Sequence, residues 1–237
     1  MIEDAERDRA KGFFANPHRY VRNNPYIEFR ADAVRQLLPR FTRKSILDLG
    51  CGDGRISIPL LGDSDELVLV DSSASMLDLA RANVPPKVAS QVRYVCTDLA
   101  EFEPQRTYDV VLCIGVLAHV YDPSVALRRV ARSVAPNGCA IIQITGGSYF
   151  LGRATQWLYA LKRRLVDSSA HALNHLTLRY VCTELHGSGL RFASSYRYIS
   201  VPGVRRLPPA ATRAIVRAVN RGFLSNWGGE VLALFTR

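Results

Sequence analysis

Apolar residues recur along the chain in two rhythms. Short runs at 45–49, 66–71, 92–97, 108–114 and 139–145 are apolar at consecutive positions and rich in β-branched residues, the pattern of strands buried on both faces. Between them, 55–61, 74–83 and 124–135 carry apolar residues at helical spacing, the last stopped by Pro136-Asn137-Gly138. This alternation predicts β-α-β units and a parallel sheet covered on both faces. Upstream, 26–38 reads as an amphipathic helix with Ile27, Ala31, Val34 and Leu38 on one stripe. After the fifth strand the rhythm breaks at an aromatic and basic insertion, 146–177. A helix at 178–187, a strand at 191–200, a helix at 209–221 and a strand at 230–236 follow. The expected organisation is one domain: a helical N-terminal cover at 1–44, an α/β core at 45–145, an insertion or lid at 146–177, and the rest of the same sheet at 178–237.

Composition narrows the class. With 48% hydrophobic and 22% charged residues in 237, the chain is of ordinary globular usage, which removes disordered, collagen-like and coiled-coil classes. The formal charge of +10 is unevenly placed. Residues 1–145 hold 18 basic and 18 acidic side chains, while 146–237 hold 13 basic and 3 acidic. The excess therefore belongs to the insertion and the C-terminal part, where it would attract an anionic acceptor, anionic lipid or nucleic acid. The N-terminus is charged and lacks the apolar core of a signal peptide, and the longest apolar run, 110–120, is too short to span a bilayer. A soluble, cytoplasmic protein is expected. Cysteines 51, 96, 113, 139 and 182 are odd in number and never form C-x-x-C, which suits reduced thiols better than disulfides or thiolate zinc.

The most informative segment follows the first strand: Asp48-Leu49-Gly50-Cys51-Gly52-Asp53-Gly54. A dinucleotide turn needs its third glycine three places after the second, where Arg55 stands instead, and no G-K-[ST] follows to cradle phosphates. Glycines let a backbone approach a ligand closely, and an acid just upstream favours a cation. A ligand carrying an ammonium and a sulfonium, without phosphate, suits this loop. A second acid, Asp71, closes the second strand 23 residues after Asp48, at the spacing of an acid that accepts from ribose hydroxyls. A third, Asp98, ends the third strand.

Together these residues resemble the class I S-adenosylmethionine-dependent methyltransferases, particularly the members that act on small molecules. The resemblance spans roughly residues 20 to 200 and rests on five pieces in order. They are Ile46 to Gly54; Val70-Asp71-Ser72-Ser73-Ala74-Ser75-Met76-Leu77; Thr97-Asp98-Leu99; Tyr108 to Cys113 with Val116-Leu117-Ala118-His119-Val120; and Leu190-Arg191-Phe192. It implies a doubly wound α/β fold with a seven-stranded, mostly parallel, Rossmann-like sheet in the order 3-2-1-4-5-7-6. It further implies S-adenosyl-L-methionine as cofactor, with Gly50, Cys51, Gly52 and Gly54 along its methionine portion, beside Asp48. Asp71 and Ser72 would meet the ribose, Met76, Asp98 and Leu99 the adenine, and Cys113 and Ile114 would close the site at the end of the fourth strand. Tyr20, Tyr26 and Arg30 fall in the N-terminal segment that often covers the cofactor. Arg30 would pair with its carboxylate, although the helix stripe leaves it on a polar face.

The acceptor is less legible. The loop Cys113-Ile114-Gly115-Val116 is unlike the Asp/Asn-Pro-Pro-aromatic turn of nucleic-acid amino methylation, and no Pro-Cys pair exists for cytosine C5 chemistry. His119 is the leading candidate for a general base, with a packed histidine as the alternative and Tyr121 and Asp122 as weaker neighbours. His171 and His175 stand at i and i+4 without a third ligand nearby, so substrate contact or capping is preferred over metal, and no metal is expected. His175, just before a Thr-initiated helix, recurs in the small-molecule members. In 151–165, leucines 151, 158, 161 and 165 form one stripe and Arg153, Lys162, Arg163 and Arg164 lie mostly elsewhere. Packing on the core is preferred to peripheral membrane contact or a grip on an anionic acceptor. The expected activity is methyl transfer to a small molecule, at oxygen rather than nitrogen, with a sugar, glycolipid or natural-product acceptor. The alternatives are an RNA methyltransferase, disfavoured because no RNA-binding module is recognisable, and a non-catalytic membrane-surface protein.

Overall fold

Both rhythms of the sequence become layers. The computed structural model describes residues 25–38, 45–63, 65–146, 174–201, 204, 207–220 and 228–237. Strands β1 (Ser45–Leu49), β2 (Glu66–Asp71), β3 (Val92–Cys96), β4 (Tyr108–Cys113), β5 (Val134–Thr145), β6 (Arg191–Tyr198) and β7 (Glu230–Thr236) form one sheet in the order β3-β2-β1-β4-β5-β7-β6. The first five pair in parallel, and β7 runs antiparallel between β5 and β6. This is the expected sheet order.

Alternation along each strand sends side chains to two buried layers. Ile46, Leu67, Leu69, Val110, Leu112 and Ile141 pack beneath α1 (Pro25–Leu37), α2 (Ala74–Asn83) and α5 (Pro209–Val219), which contribute Val34, Leu77 and Val216. Leu47, Val68, Val70, Val111 and Ile142 pack beneath α3 (Pro123–Ser133) and α4 (Leu178–His186), which contribute Leu127, Val130, Val181 and Leu185. A fully buried side chain of this kind is worth about 1.5–3 kcal/mol. The helix starts are set locally: Ser73 caps α2 by accepting from Met76 N, Asp122 caps α3, and Thr177 caps α4 by accepting from Tyr180 N.

Two elements differ from expectation. The predicted helix 55–61 is a series of turns with one 3₁₀ turn at Ile58–Leu60. Pro59 has no N–H with which to continue an α-helix, so the ladder stops after the single bond from Ile58 N to the Gly54 carbonyl at 2.9 Å. Strand β5 begins at Val134 rather than near Cys139, because the register against β4 jumps between Tyr108 and Val110. Asn137, with φ of 62°, lies within that irregularity.

Candidate active site

The site is built where β1, β2, β3 and β4 end. Beyond Leu49 the chain turns over the sheet edge, and Gly50 N and Cys51 N both donate to the Val70 carbonyl, at 2.8 and 3.0 Å. Gly50, Gly52 and Gly54 have φ of 73°, 54° and 72°, a region that costs other residues about 1–2 kcal/mol. Their surroundings differ. A Cβ on Gly50 would stand 2.2 Å from Val116 Cγ2, and one on Gly54 would stand 2.5 Å from Ile58 Cδ1. At Gly52 a Cβ would meet nothing within 4 Å, so the turn opens onto a cradle there.

Carboxylates surround that cradle. Asp71 Oδ2 accepts from Gly52 N at 2.8 Å and Oδ1 from Ser73 N at 2.9 Å, leaving each oxygen further lone-pair capacity. Burial raises the Asp71 pKa, with those two bonds opposing. Asp48 is 2% exposed. Burial pushes its pKa up to about 7; Ser57 opposes the rise, while Asp71 and Asp53 add to it. The Ser57 hydroxyl itself is buried and closes no hydrogen bond of good geometry. Asp53 is buried and paired with Arg55 Nε at 2.5 Å, so the nearest guanidinium is already engaged. Asp98 Oδ1 accepts from Ala100 N at 2.9 Å, fixing the turn after β3.

An open glycine cradle bordered by buried acids repels phosphate and attracts a cation. These residues therefore fit S-adenosylmethionine, whose ammonium and sulfonium carry the positive charges and which has no phosphate. The remaining expected contacts reach the same edge. Cys51 is half-buried and Cys113 and Ile114 are buried at the end of β4. Burial, reinforced by Asp48, raises both thiols, Cys113 to about 12, so neither is a ready nucleophile. Met76 and Leu99 are buried and Ser72 is exposed. Tyr20 and His171, and all but the ends of the insertion, lie outside the described residues.

Arg30 Nε donates to the Tyr198 hydroxyl at 2.9 Å, on β6, four strands from β1 in the sheet order. Tyr26 likewise serves the fold: it stacks on Tyr198 and its hydroxyl accepts from Val201 N at 2.6 Å.

On the acceptor side, Gly115 (φ 78°) turns the chain out of β4, and His119 N donates to the Val116 carbonyl at 2.8 Å. His119 is half-buried on this turn, whose Val116 stands against Gly50. Sequence reasoning missed the residue that fixes the turn. Asn174 N donates to the Ala118 carbonyl at 2.9 Å, and Asn174 Nδ2 donates to those of Leu117 and Val120, at 3.2 and 2.5 Å. The only hint was an Asn shortly before the cap residue Thr177. His175, its neighbour, is exposed. Leu176 N donates to the Thr145 carbonyl at 3.1 Å, and Gly146 N to that of Gly229 at 2.7 Å, so both stems of the insertion are tied to the sheet edge. Asp122 is occupied as a cap, accepting from Ser124 N and Val125 N, and Tyr121 is 57% exposed.

A family model described as a methyltransferase domain matches residues 20–194. Among curated relatives, the ubiquinone biosynthesis O-methyltransferase of Rickettsia typhi is 30% identical over 131 residues, 55% of this chain and 52% of that protein. The protein of the same name in Bradyrhizobium diazoefficiens is 34% identical over 97 residues, 41% and 38% of the two chains. The chain thus spans about half the length, or less, of these relatives. The solved magnesium protoporphyrin IX methyltransferase of Synechocystis PCC 6803, with bound S-adenosylhomocysteine, shares the fold with a TM-score of 0.70 at 15% identity, over 98% of this chain and 99% of that one. With the family match covering most of its length and the glycine cradle, acid-ended strands and sheet order in place, the chain belongs to the class I S-adenosylmethionine-dependent methyltransferases.

Proposed function

We propose that the chain methylates a hydroxyl group of a small-molecule acceptor, a sugar, glycolipid or other natural-product intermediate. The observation that supports this reading is the turn after β4, which carries half-buried His119 and whose Val116 stands against Gly50 of the glycine turn. When bound, the cofactor supplies a methyl group on a positively charged sulfur. The chain's own residues do the rest. The cradle and its carboxylates hold the donor in one orientation, and alignment of donor and acceptor supplies much of the rate. A neutral hydroxyl must lose its proton as its oxygen bonds to carbon, and His119 takes that proton, a contribution of about 10²–10⁴-fold. The names of the relatives support oxygen as the acceptor atom. The 13 basic and 3 acidic side chains of residues 146–237 suit an acceptor with an anionic group remote from the reacting hydroxyl.

The test is transfer of labelled methyl from S-adenosylmethionine into a small-molecule extract, compared between wild type and His119→Ala across pH 6 to 9. The variant is expected to bind cofactor normally and to lose about 10²–10⁴-fold in turnover. Wild-type turnover in the variant across that range would remove the base role, and labelling confined to RNA would overturn the small-molecule reading.

A further inference from the structure

Strand β5 carries one long polar side chain into an apolar layer. Ala140, Ile142 and Ile144 join the cluster beneath α3 and α4, while Cys139 and Ile141 join the cluster beneath α1, α2 and α5. By the same alternation Gln143 points into the second of these layers, and it is 3% exposed. Its Nε2 donates to Glu230 Oε2 at 2.7 Å, an oxygen that also accepts from Thr145 Oγ1 at 3.1 Å. Its Oε1 is buried and has no hydrogen-bond partner among the described residues. The amide cannot be reversed to cure this, because that would set its carbonyl oxygen against the Glu230 carboxylate.

The position of this group matters as much as its isolation. Cys113, the last residue of β4, pairs with Ile142, so Gln143 lies one residue beyond the end of β4, at the carboxyl edge where open α/β sheets bind ligands. Adjacent strands lie about 5 Å apart, which puts Gln143 one strand over from the turn that bears His119. Glu230 opens β7 opposite Thr145, beside Gly229, which receives the stem of the insertion. An amide oxygen left unpaired in such a layer costs stability that an apolar residue at 143 would not. Gln143 Oε1 can only accept a hydrogen bond, so what completes it is a donor.

We propose that Gln143 and Glu230 form an acceptor subsite that receives a hydroxyl group of the methyl acceptor. This deepens the O-methylation reading and rests on it.

Ligand contact measured on the whole chain tests the subsite. Gln143→Met removes the unpaired oxygen at similar volume, and with it the amide donor to Glu230, so circular dichroism first establishes that the variant is folded. Saturation-transfer NMR with S-adenosylhomocysteine present then compares phenol with anisole, which lacks the donor. Phenol is expected to contact wild type more strongly than anisole does, and to lose that advantage in Gln143→Met. Glu230→Gln, which keeps side-chain length, is expected to weaken phenol in the same direction. Equal contact by the two probes on wild type, or an undiminished phenol preference in both variants, would sink the subsite. If the phenol preference behaves as expected while no hydroxyl compound is methylated, the subsite stands and the O-methylation reading fails.

Discussion

Gly52 donates its backbone N–H to the Asp71 carboxylate at 2.8 Å, which makes the glycine turn after β1 and the acid at the end of β2 a single hydrogen-bonded unit. This bond ties the two walls of the ligand cradle to each other.

That unit separates binding from folding. Gly52→Ala places a methyl group in open space, so its stability cost is confined to the left-handed backbone, about 1–2 kcal/mol, while the methyl group enters the cradle. Cofactor affinity is expected to fall by about tenfold or more, equal to about 1.4 kcal/mol. Gly50→Ala meets Val116 Cγ2 as well, and overpacking adds about 1–3 kcal/mol to the same strain. Thermal melts and titration calorimetry on both variants check the contrast. Equal destabilisation, or unimpaired cofactor binding in Gly52→Ala, would contradict it.

Asp48 makes cofactor binding depend on pH. Its pKa of about 7 means that much of the unliganded protein carries this acid protonated below neutrality. A cationic ligand favours the carboxylate, so binding releases a proton and weakens as pH falls below 7, by about tenfold per unit at the limit. The sign for folding is the reverse. The folded chain holds this proton and the unfolded chain does not, so the Asp48 contribution to unliganded stability declines as pH rises from its ordinary value of 3.8 to about 7. Calorimetry in buffers of different ionisation enthalpy measures the released proton, and Asp48→Asn is expected to abolish the dependence.

Asn174→Asp keeps the shape of the side chain and replaces the donor that faces the Leu117 and Val120 carbonyls with an acceptor. The expected result is a stability loss of about 2 kcal/mol and roughly tenfold slower methyl transfer, with cofactor affinity unchanged. Cofactor affinity that fell in step with turnover would show that the turn after β4 belongs to the cofactor half instead.

The sheet was legible because its strands are apolar at consecutive positions, a pattern that few other elements share; β1, β2 and β7 have the expected bounds. The cradle was legible too, since close backbone approach needs glycine and a cation needs acids. What escaped depends on partners far apart in sequence. Asn174 acts through carbonyls 54 and 57 residues away, which no local pattern marks. Arg30 bonds to Tyr198, 168 residues away, through the docking of α1 against β6. Gln143 was submerged in a run read only for its hydrophobicity. The helix expected at 55–61 failed on a single proline, Pro59, whose effect the apolar spacing concealed.

The stems of the insertion carry a consequence for how such a chain changes over generations. Gly146 and Leu176 are both bonded to the edge of the sheet, so the intervening stretch begins and ends at fixed anchorages. Lengthening a loop between fixed ends costs only about 0.6 kcal/mol for each doubling. Between these anchors stand four basic side chains and one acidic, so the length of chain there can change at little cost to the sheet. Such changes leave the glycine turn after β1 and its bond to Asp71 as they are.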